Sequence, residues 1–240
     1  MFNANDGVED QLRPSIANVA QYIYELTDQY ADSAFNGFVG IGANFWDTFY
    51  PEARPALLKP FPAMSEGNRD APAMEYDLFI HIRCDRYDIL HLVANEINQM
   101  FEDLVELVHV QKYMHNLSKW HRLPLKKQED IFGRTKVDDI EYESEDKPLT
   151  SHTKRVNLKD PHGNSLEILR QSMPYGSIRE QGLMFISVCR TPDHFEQMLR
   201  SMVHGDGHGN HDHLMLFTKA LTGSSFFVPS LDFLTQFDDA

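Results

Sequence analysis

The chain is organised around residues 133–176, which read GRTKVDDIEYESEDKPLTSHTKRVNLKDPHGNSLEILRQSMPYG. His152 lies in a Ser/Thr-rich stretch that follows an acidic run broken by a proline, and Arg170 ends the apolar segment SLEILR, which predicts a short strand. An imidazole can bind a metal or haem iron, whereas a guanidinium stays charged and can stabilise negative charge on a bound oxygen ligand. Residue types and spacing leave that chemistry open, so the segment is a candidate functional site.

Four motifs, in one order along the chain, carry a resemblance to a known family. They are IFGRTK (131–136), TSH (150–152), ILRQSMPYG (168–176) and LTGSSFFVPS (221–230). Together they resemble the C-terminal half of the dye-decolorising, or DyP-type, haem peroxidases, and most of all the bacterial B-class, from about residue 110 to residue 237. GFVGIGANFWD and MEYDLFIHIRCDRYDIL resemble the N-terminal half of the same family more faintly.

The resemblance implies one haem b per chain and assigns roles to particular residues. His152 would be the axial ligand of the haem iron, Arg170 would be the distal arginine, and Ser172 could hold a water beside it. Arg134 would bind a haem propionate. Asp212 would accept the other ring N–H of His152, which fixes the tautomer and makes the imidazole a stronger donor to iron. The alternative for Asp212 is that it only caps the segment HLMLFTKAL as a helix N-cap.

Two features depart from the family. Its members carry, before the segment that corresponds to HVQKYMHNL (109–117), a long stretch with a GFVDGTENP-like motif, whose aspartate lies over the haem and can move the proton of peroxide. Here INQMFEDLVELV (97–108) continues directly into HVQKYMHNL, as though that stretch had been removed at Val108. The opening MFNAND resembles the end of the family's first strand, so we expect that strand to be incomplete.

The pattern of the first half predicts a ferredoxin-like unit over residues 1–108. Apolar residues at helical spacing predict an amphipathic helix over 8–31, with a break or kink near Pro14. FNGFVGIGANFW and EYDLFIHIRC predict strands, residues 86–104 predict a second helix, and VELV predicts a closing strand. This is the ferredoxin-like order with most of the first strand lost.

The second half, residues 109–240, repeats that order and is expected to carry the haem. We predict strands in VHVQKYMH, SLEILR, GLMFISVCR and SSFFVPS, with the last closing the second sheet, and helices in PLKKQEDIF, TPDHFEQMLRSMV and HDHLMLFTKALT. The predicted fold class is therefore α+β, with two ferredoxin-like units and antiparallel sheets of the dimeric α/β-barrel type. Because no Gly/Ser linker separates the halves, we expect them to pack together.

Composition narrows the classes of partner. The chain has 240 residues, 42% of them apolar, and can bury a substantial core. Its formal net charge of −14 would repel nucleic acid and anionic membranes, so neither is expected as a partner. The sequence shows no signal-peptide pattern and no membrane-spanning apolar run, which predicts a cytoplasmic protein. Cys84 and Cys189 lie in apolar runs and are expected to be buried free thiols.

Two other features have competing interpretations. HGDGHGNHDH (204–213) contains four histidines, which could suggest a zinc or nickel site, but its Gly, Asn and Asp residues favour a solvated turn. Trp120, Tyr113 and Tyr22 could relay electrons from bulky dyes, as the resemblance allows, or could simply pack.

Three functions are consistent with the sequence. The favoured one is a haem-dependent peroxidase that reduces hydrogen peroxide and oxidises dyes or phenolic compounds, weakened by loss of the distal aspartate. The others are a non-catalytic haem-binding or storage protein and a truncated structural apo-protein. The expected partners are hydrogen peroxide, an organic electron donor and further copies of the chain in a homo-oligomer.

Overall fold

The computed structural model describes residues 1–101, 104–107, 113–177 and 179–236. The strands are β1 (Phe2–Ala4), β2 (Asn36–Gly42), β3 (Met64–Glu66), β4 (Arg69–Ala71), β5 (Leu78–Arg83), β6 (Val105–Leu107), β7 (Tyr113–His115), β8 (Leu169–Gly176), β9 (Gln181–Val188), β10 (Thr218–Ala220) and β11 (Phe226–Phe227). The helices are α1 (Glu9–Gln29), α2 (Ala43–Phe49), α3 (Tyr87–Met100), α4 (Leu117–Trp120), α5 (Leu125–Phe132), α6 (His152–Val156), α7 (Pro192–Val203) and α8 (Leu231–Thr235). Short 3-10 turns cover Ala31–Ser33, Pro51–Ala53 and His213–Leu216.

The chain divides into two compact units. The first comprises Met1–Pro60, Glu75–His109 and Ser224–Ala240, and the second comprises Phe61–Met74 and Val110–Gly223. The predicted boundary at residue 108 stays a prediction, because residues 108–112 lie outside the described part of the chain. Two segments do not follow the sequence order of the units: Phe61–Met74 belongs to the second unit, and Ser224–Ala240 belongs to the first. A segment joins a sheet wherever its backbone finds a pairing partner.

The first unit is built on an antiparallel sheet in the order β11-β2-β5-β1-β6. β1 has three residues, and Phe2 lies opposite Leu78 of β5 and opposite Leu107 of β6. β11 pairs with β2, with Phe226 opposite Gly42. The prediction that SSFFVPS closes the second sheet is therefore wrong.

The core of the first unit lies between this sheet and α1 and α3. The predicted apolar face of α1 is confirmed, because Leu12, Ile16 and Val19 are fully buried. They pack with Ile41 and Leu78 from the sheet in one hydrophobic cluster. α1 continues as one helix through Pro14, so the helix does not break there, and the alternative of a kink at this proline stays a prediction. Continuous burial of the face on both sides of the proline stabilises the helix.

The second unit is built on an antiparallel sheet in the order β10-β7-β9-β8. β8 and β9 pair over their full length, with Arg170 opposite Ser187 and Ser172 opposite Phe185. β7 and β9 pair through Tyr113 and Leu183. Antiparallel sheets in a mixed α+β fold confirm the predicted fold class.

Three predicted elements of the second half differ in the structure. HDHLMLFTKALT is not a helix but a 3-10 turn followed by β10, which pairs with β7. SLEILR does not end a strand at Arg170, because β8 starts at Leu169 and continues through Pro174 to Gly176. His152 is not in a loop but begins α6. In each case pairing or packing with a distant segment outweighs the local apolar pattern.

Other predicted properties concern thiols and membranes. Cys84 and Cys189 are free thiols, each half-buried rather than fully buried. Among the described ranges, no helix is both long enough and apolar enough to cross a bilayer.

Candidate functional site

A cavity of about 440 Å³ lies within the second unit. Its volume falls in the range of small-molecule and cofactor pockets, roughly 300–1,000 Å³. One wall is a face of the sheet, where side chains two residues apart point the same way, and includes Tyr113, His115, Arg170, Ser172, Leu183 and Phe185. The other wall comes from helices and includes Phe132, His152, Val156, Phe195, Met198 and Met202. The cavity is therefore largely apolar, with several polar groups on the sheet wall and His152 on the helical wall.

His152 lies on the helical wall and is held by a buried carboxylate. Its Nδ1 is 2.7 Å from Oδ2 of Asp212, whose side chain is fully buried. The other carboxylate oxygen of Asp212 accepts the backbone N–H of Leu214 at 2.8 Å and caps the 3-10 turn there. The two roles considered for Asp212 are therefore geometrically compatible. Since a carboxylate only accepts hydrogen bonds, Nδ1 carries the proton and the lone pair of the neutral ring is on Nε2.

The glycine of the GRTK motif positions the helix that carries His152. Gly133 ends α5 with φ = 81°, a left-handed conformation that favours glycine. A Cβ at this position would overlap the hydroxyl of Thr153 and lie 2.9 Å from Oγ of Ser151, the two neighbours of His152 in the chain. The adjacent Phe132 ring stands edge-on to the His152 ring at 6.4 Å. The end of α5 thus packs directly on the start of α6.

A second tether joins α6 to the end of α7. The guanidinium of Arg155 donates from Nε to the carbonyl of Ser201 at 2.7 Å and from Nη2 to the carbonyl of His204 at 3.3 Å. These carbonyls belong to the last turn of α7 and its C-cap, where a basic side chain is favourable. Arg155 therefore helps to fix the orientation of the helix that carries His152.

The histidine-rich segment forms an ordered turn built on Asp206. The Asp206 carboxylate accepts the backbone N–H groups of His208 and Asn210 and the side-chain amide of Asn210, at 2.9 to 3.1 Å. The Asn210 side chain, with these backbone donors, lowers the pKa of Asp206 to about 2. No group of three or more potential metal-ligating side chains occurs among the described residues. This turn does not line the cavity.

Arg170 and Ser172 lie on the sheet wall, opposite the helical wall. As the second and fourth residues of β8, they share a face of the strand. In the described part of the chain, the guanidinium of Arg170 has no hydrogen-bond or ion-pair partner. Its donors are available to a ligand in the cavity, as the sequence-based hypothesis requires.

Arg134 does not line this cavity. Its Nε lies 3.0 Å from a carboxylate oxygen of Asp139, and its Nη2 donates to the Asp139 carbonyl at 3.4 Å. The predicted contact of Arg134 with a haem propionate stays a prediction.

The sequence analysis missed His115 on the sheet wall. Its Nδ1 lies 2.9 Å from the hydroxyl oxygen of Thr218, and burial lowers the pKa of the imidazole. Tyr113, two residues earlier, lines the same wall, and burial raises its pKa to about 12. The alternation of Tyr113 and His115 in KYMH was the available signal. It could not be used without knowing which face of the strand meets the cavity.

The residues present fit a haem. Apolar and aromatic walls suit a flat porphyrin, and a neutral imidazole with its lone pair on Nε2 is a ligand for iron. Trp120 also lines the cavity and packs edge-on against Phe132 and Phe217, with ring centroids 5.5 and 5.2 Å apart. Among the described residues that line the cavity there is no aspartate or glutamate.

Comparison with known proteins assigns the family. Residues 23–115 match the family Dyp-type peroxidase, N-terminal, and residues 94–233 match Dyp-type peroxidase, C-terminal. A dye-decolorizing peroxidase of Mycobacterium tuberculosis is 33% identical over 82% of this chain and 73% of its own length. One from Rhodococcus erythropolis is 29% identical over the whole chain and 85% of its own length. That second alignment extends over 290 residues, 50 more than this chain has.

Comparison with solved structures gives the same family. A crystal structure of a Dyp-type peroxidase protein from Shewanella oneidensis is 70% identical, with a TM-score of 0.96 over 99% of this chain and 93% of that one. A variant of DypB from Rhodococcus jostii, solved in complex with haem, is 28% identical, with a TM-score of 0.88 over 97% of this chain and 93% of that one. These matches show that the chain belongs to the Dyp-type peroxidases and is a haem-dependent peroxidase.

Proposed function

We propose that haem b binds in the cavity of the second unit with His152 as its axial ligand, and that the chain uses it to reduce hydrogen peroxide with electrons from dyes or phenolic compounds. The observation that carries the proposal is the 2.7 Å hydrogen bond between His152 and the fully buried Asp212 at the cavity wall. When bound, haem would supply the iron at which peroxide is reduced, and the dye or phenolic compound would supply the two electrons.

His152 and Asp212 act as a unit. The carboxylate holds the ring in one tautomer and one orientation, so Nε2 is available to iron without a conformational search. Because Asp212 is also held by the Leu214 N–H, its carboxylate cannot rotate freely away from the ring. Packing of Gly133 against the start of α6 fixes the backbone that carries the imidazole.

Arg170 and Ser172 act on peroxide. The guanidinium stabilises the negative charge that develops on the leaving oxygen as the O–O bond breaks. The Ser172 hydroxyl holds a water within reach of the same place, because it lies on the same face of β8.

Proton transfer is the weak step of this proposal. No carboxylate lines the cavity in the described residues, so a water beside Arg170 and Ser172 carries the peroxide proton. A positioned general base contributes about 10²–10⁴-fold. We therefore propose a peroxidase that is slower than relatives with the distal aspartate.

The same observation favours a second candidate function. A cavity that has a candidate iron ligand and, among its described residues, no carboxylate suits a protein that binds or stores haem without rapid turnover. Turnover of a dye with hydrogen peroxide by the haem-loaded protein distinguishes the two functions.

The finer assignments complete the proposal. Arg134 would exchange its partner Asp139 for a haem propionate. The chain would assemble as a homo-oligomer in the cytoplasm. A structural neighbour from Mycobacterium smegmatis is an encapsulated DyP-type peroxidase, so enclosure in a protein shell is an alternative location. Light scattering of the purified protein measures the assembly directly.

The experiment that tests the site is replacement of the axial ligand. His152→Ala should abolish or severely weaken haem binding, measured by the Soret absorbance of the reconstituted protein, since a site with one protein ligand has no ready substitute. The control variant replaces His204, His208, His211 and His213 together and should keep its haem. A normal ferric spectrum in His152→Ala would refute the assignment.

A further inference from the structure

His115 is the polar group of the cavity for which the proposed mechanism has no use. It lines the sheet wall among apolar side chains, and its ring is fixed by the contact between Nδ1 and Thr218 Oγ1 at 2.9 Å. The Thr218 hydroxyl in turn donates to the carbonyl of Met114 at 3.4 Å. Because that hydrogen bond takes the hydroxyl proton, Nδ1 of His115 must be the donor to Thr218.

The second ring nitrogen is left for a ligand. Within the described part of the chain, Nε2 of His115 has no hydrogen-bond partner. This nitrogen is also not completely buried, because it is absent from the set of fully buried polar atoms that lack a partner. The ring is thus held at one nitrogen by the protein and open at the other, which is how a side chain is prepared to bind something in a cavity.

Register places His115 far from the peroxide side of the cavity. Tyr113 lies opposite Leu183, which lies opposite Pro174, so His115 is level with Gly176. Gly176 is six residues from Arg170 along β8, or about 20 Å at roughly 3.3 Å per residue. His115 therefore cannot take part in breaking the O–O bond beside Arg170.

The chemistry of haem identifies the group that belongs there. A haem b has an apolar ring with two carboxylates on one edge, and these propionates are its only charged groups at the periphery. We infer that His115 binds a haem propionate through Nε2 and so orients the cofactor in its cavity. This inference rests on the proposed haem site and adds to it a second, peripheral anchor.

The proton balance is simple. In the cavity without an anion, burial lowers the pKa of His115 and so favours the neutral ring. A carboxylate at Nε2 favours the imidazolium, which takes a proton from solvent and donates one hydrogen bond to the propionate and one to Thr218.

The test compares two cofactors that differ only at the carboxylates. The apo-protein is titrated with haem b and with its dimethyl ester, in which both propionates are uncharged, and binding is followed by quenching of tryptophan fluorescence. His115→Leu should weaken haem b binding roughly tenfold to hundredfold, the range for a hydrogen bond to a charged group, and should change ester binding less than about threefold. His121→Leu, at an exposed histidine that does not line the cavity, should change neither.

The outcomes are distinct. An equal loss for both cofactors, or an unchanged affinity for haem b, would overturn the propionate contact while leaving the haem site in place. A parent protein that takes up neither cofactor would overturn the haem site and this inference with it. If His115→Leu does not fold, His115→Gln keeps a donor without the charge, and it should show the same selective loss for haem b in smaller degree.

Discussion

Replacing Asp212 by asparagine separates the two roles of this residue in a single variant. The carboxylate accepts from His152 with one oxygen and from the Leu214 N–H with the other. In Asp212→Asn the amide oxygen can keep the hydrogen bond from Leu214, but the amide nitrogen can only donate toward His152. The ring would then accept a hydrogen bond at Nδ1 and carry its proton on Nε2, the nitrogen whose lone pair is needed to bind iron.

The magnitude follows from the bond that is lost. A hydrogen bond to a charged group contributes about 1.5–3 kcal/mol, and about 1.4 kcal/mol corresponds to a tenfold change in affinity. We therefore expect haem affinity to fall roughly 10- to 150-fold, in line with the 10- to 100-fold cost of removing a partner of a metal ligand. The stability of the apo-protein should change little, because the cap is retained.

The assay is haem titration followed by Soret absorbance, with urea unfolding of the apo-protein as a second measurement. Asp212→Ala is the matched comparison, since it loses the cap as well and should cost a further ~1 kcal/mol of unfolding free energy. Parent-like haem affinity in Asp212→Asn would refute the assignment of His152 as the iron ligand held by Asp212.

Three further predictions concern the opposite wall, the packing of α6 and the first unit. Arg170→Leu should slow the reaction of the haem-loaded protein with peroxide roughly 10²–10³-fold in stopped flow, the usual cost of losing one such donor, without changing the resting spectrum; a parent-like rate would favour the haem-binding function. Gly133→Ala should lower the unfolding free energy by about 2–4 kcal/mol, because the alanine is strained in the left-handed conformation and its Cβ overlaps neighbouring atoms. The control Gly163→Ala, where φ is also left-handed but the space is open, should lower it by only ~1–2 kcal/mol. Equal losses would contradict the packing argument. Burial, and then the charge of Arg83, lower the pKa of His81. As pH falls below ~6.5, the unfolded state therefore takes up a proton first and the parent protein loses stability. Urea unfolding at pH 7 and pH 5 should show that the unfolding free energy of His81→Phe rises relative to that of the parent at the lower pH, and a constant difference would contradict this argument.

Much of the fold follows from local pattern. The apolar stripe of α1, with Leu12, Ile16 and Val19, predicted a helix face that is fully buried. The alternating run EYDLFIHIRC predicted β5, and PLKKQEDIF predicted α5. These elements were predictable because their hydrophobic period matches the geometry of a helix or a strand over many residues.

Elements that depend on a distant partner were predicted less well. HDHLMLFTKALT has an apolar content suited to a helix, but Thr218–Ala220 pairs with β7 over a hundred residues away in sequence. SSFFVPS reads as a strand and is one, yet its partner is β2 in the first unit. A strand pattern says that a segment will pair, while the choice of partner is a property of the assembled sheet.

The sequence by itself, through its motifs, determined the family and the cofactor, and it singled out His152, Asp212 and Arg170 as the candidate site residues. Only the tertiary structure decided how they act together. It joins His152 and Asp212, 60 residues apart, at 2.7 Å, and it turns Arg170 and Ser172 to the wall opposite. It also places Arg134 beside Asp139 instead of at the cavity and brings His115 into the wall. The reason is physical: which face of a strand meets a cavity, and which carboxylate meets an imidazole, depend on register and on packing between segments far apart in the chain.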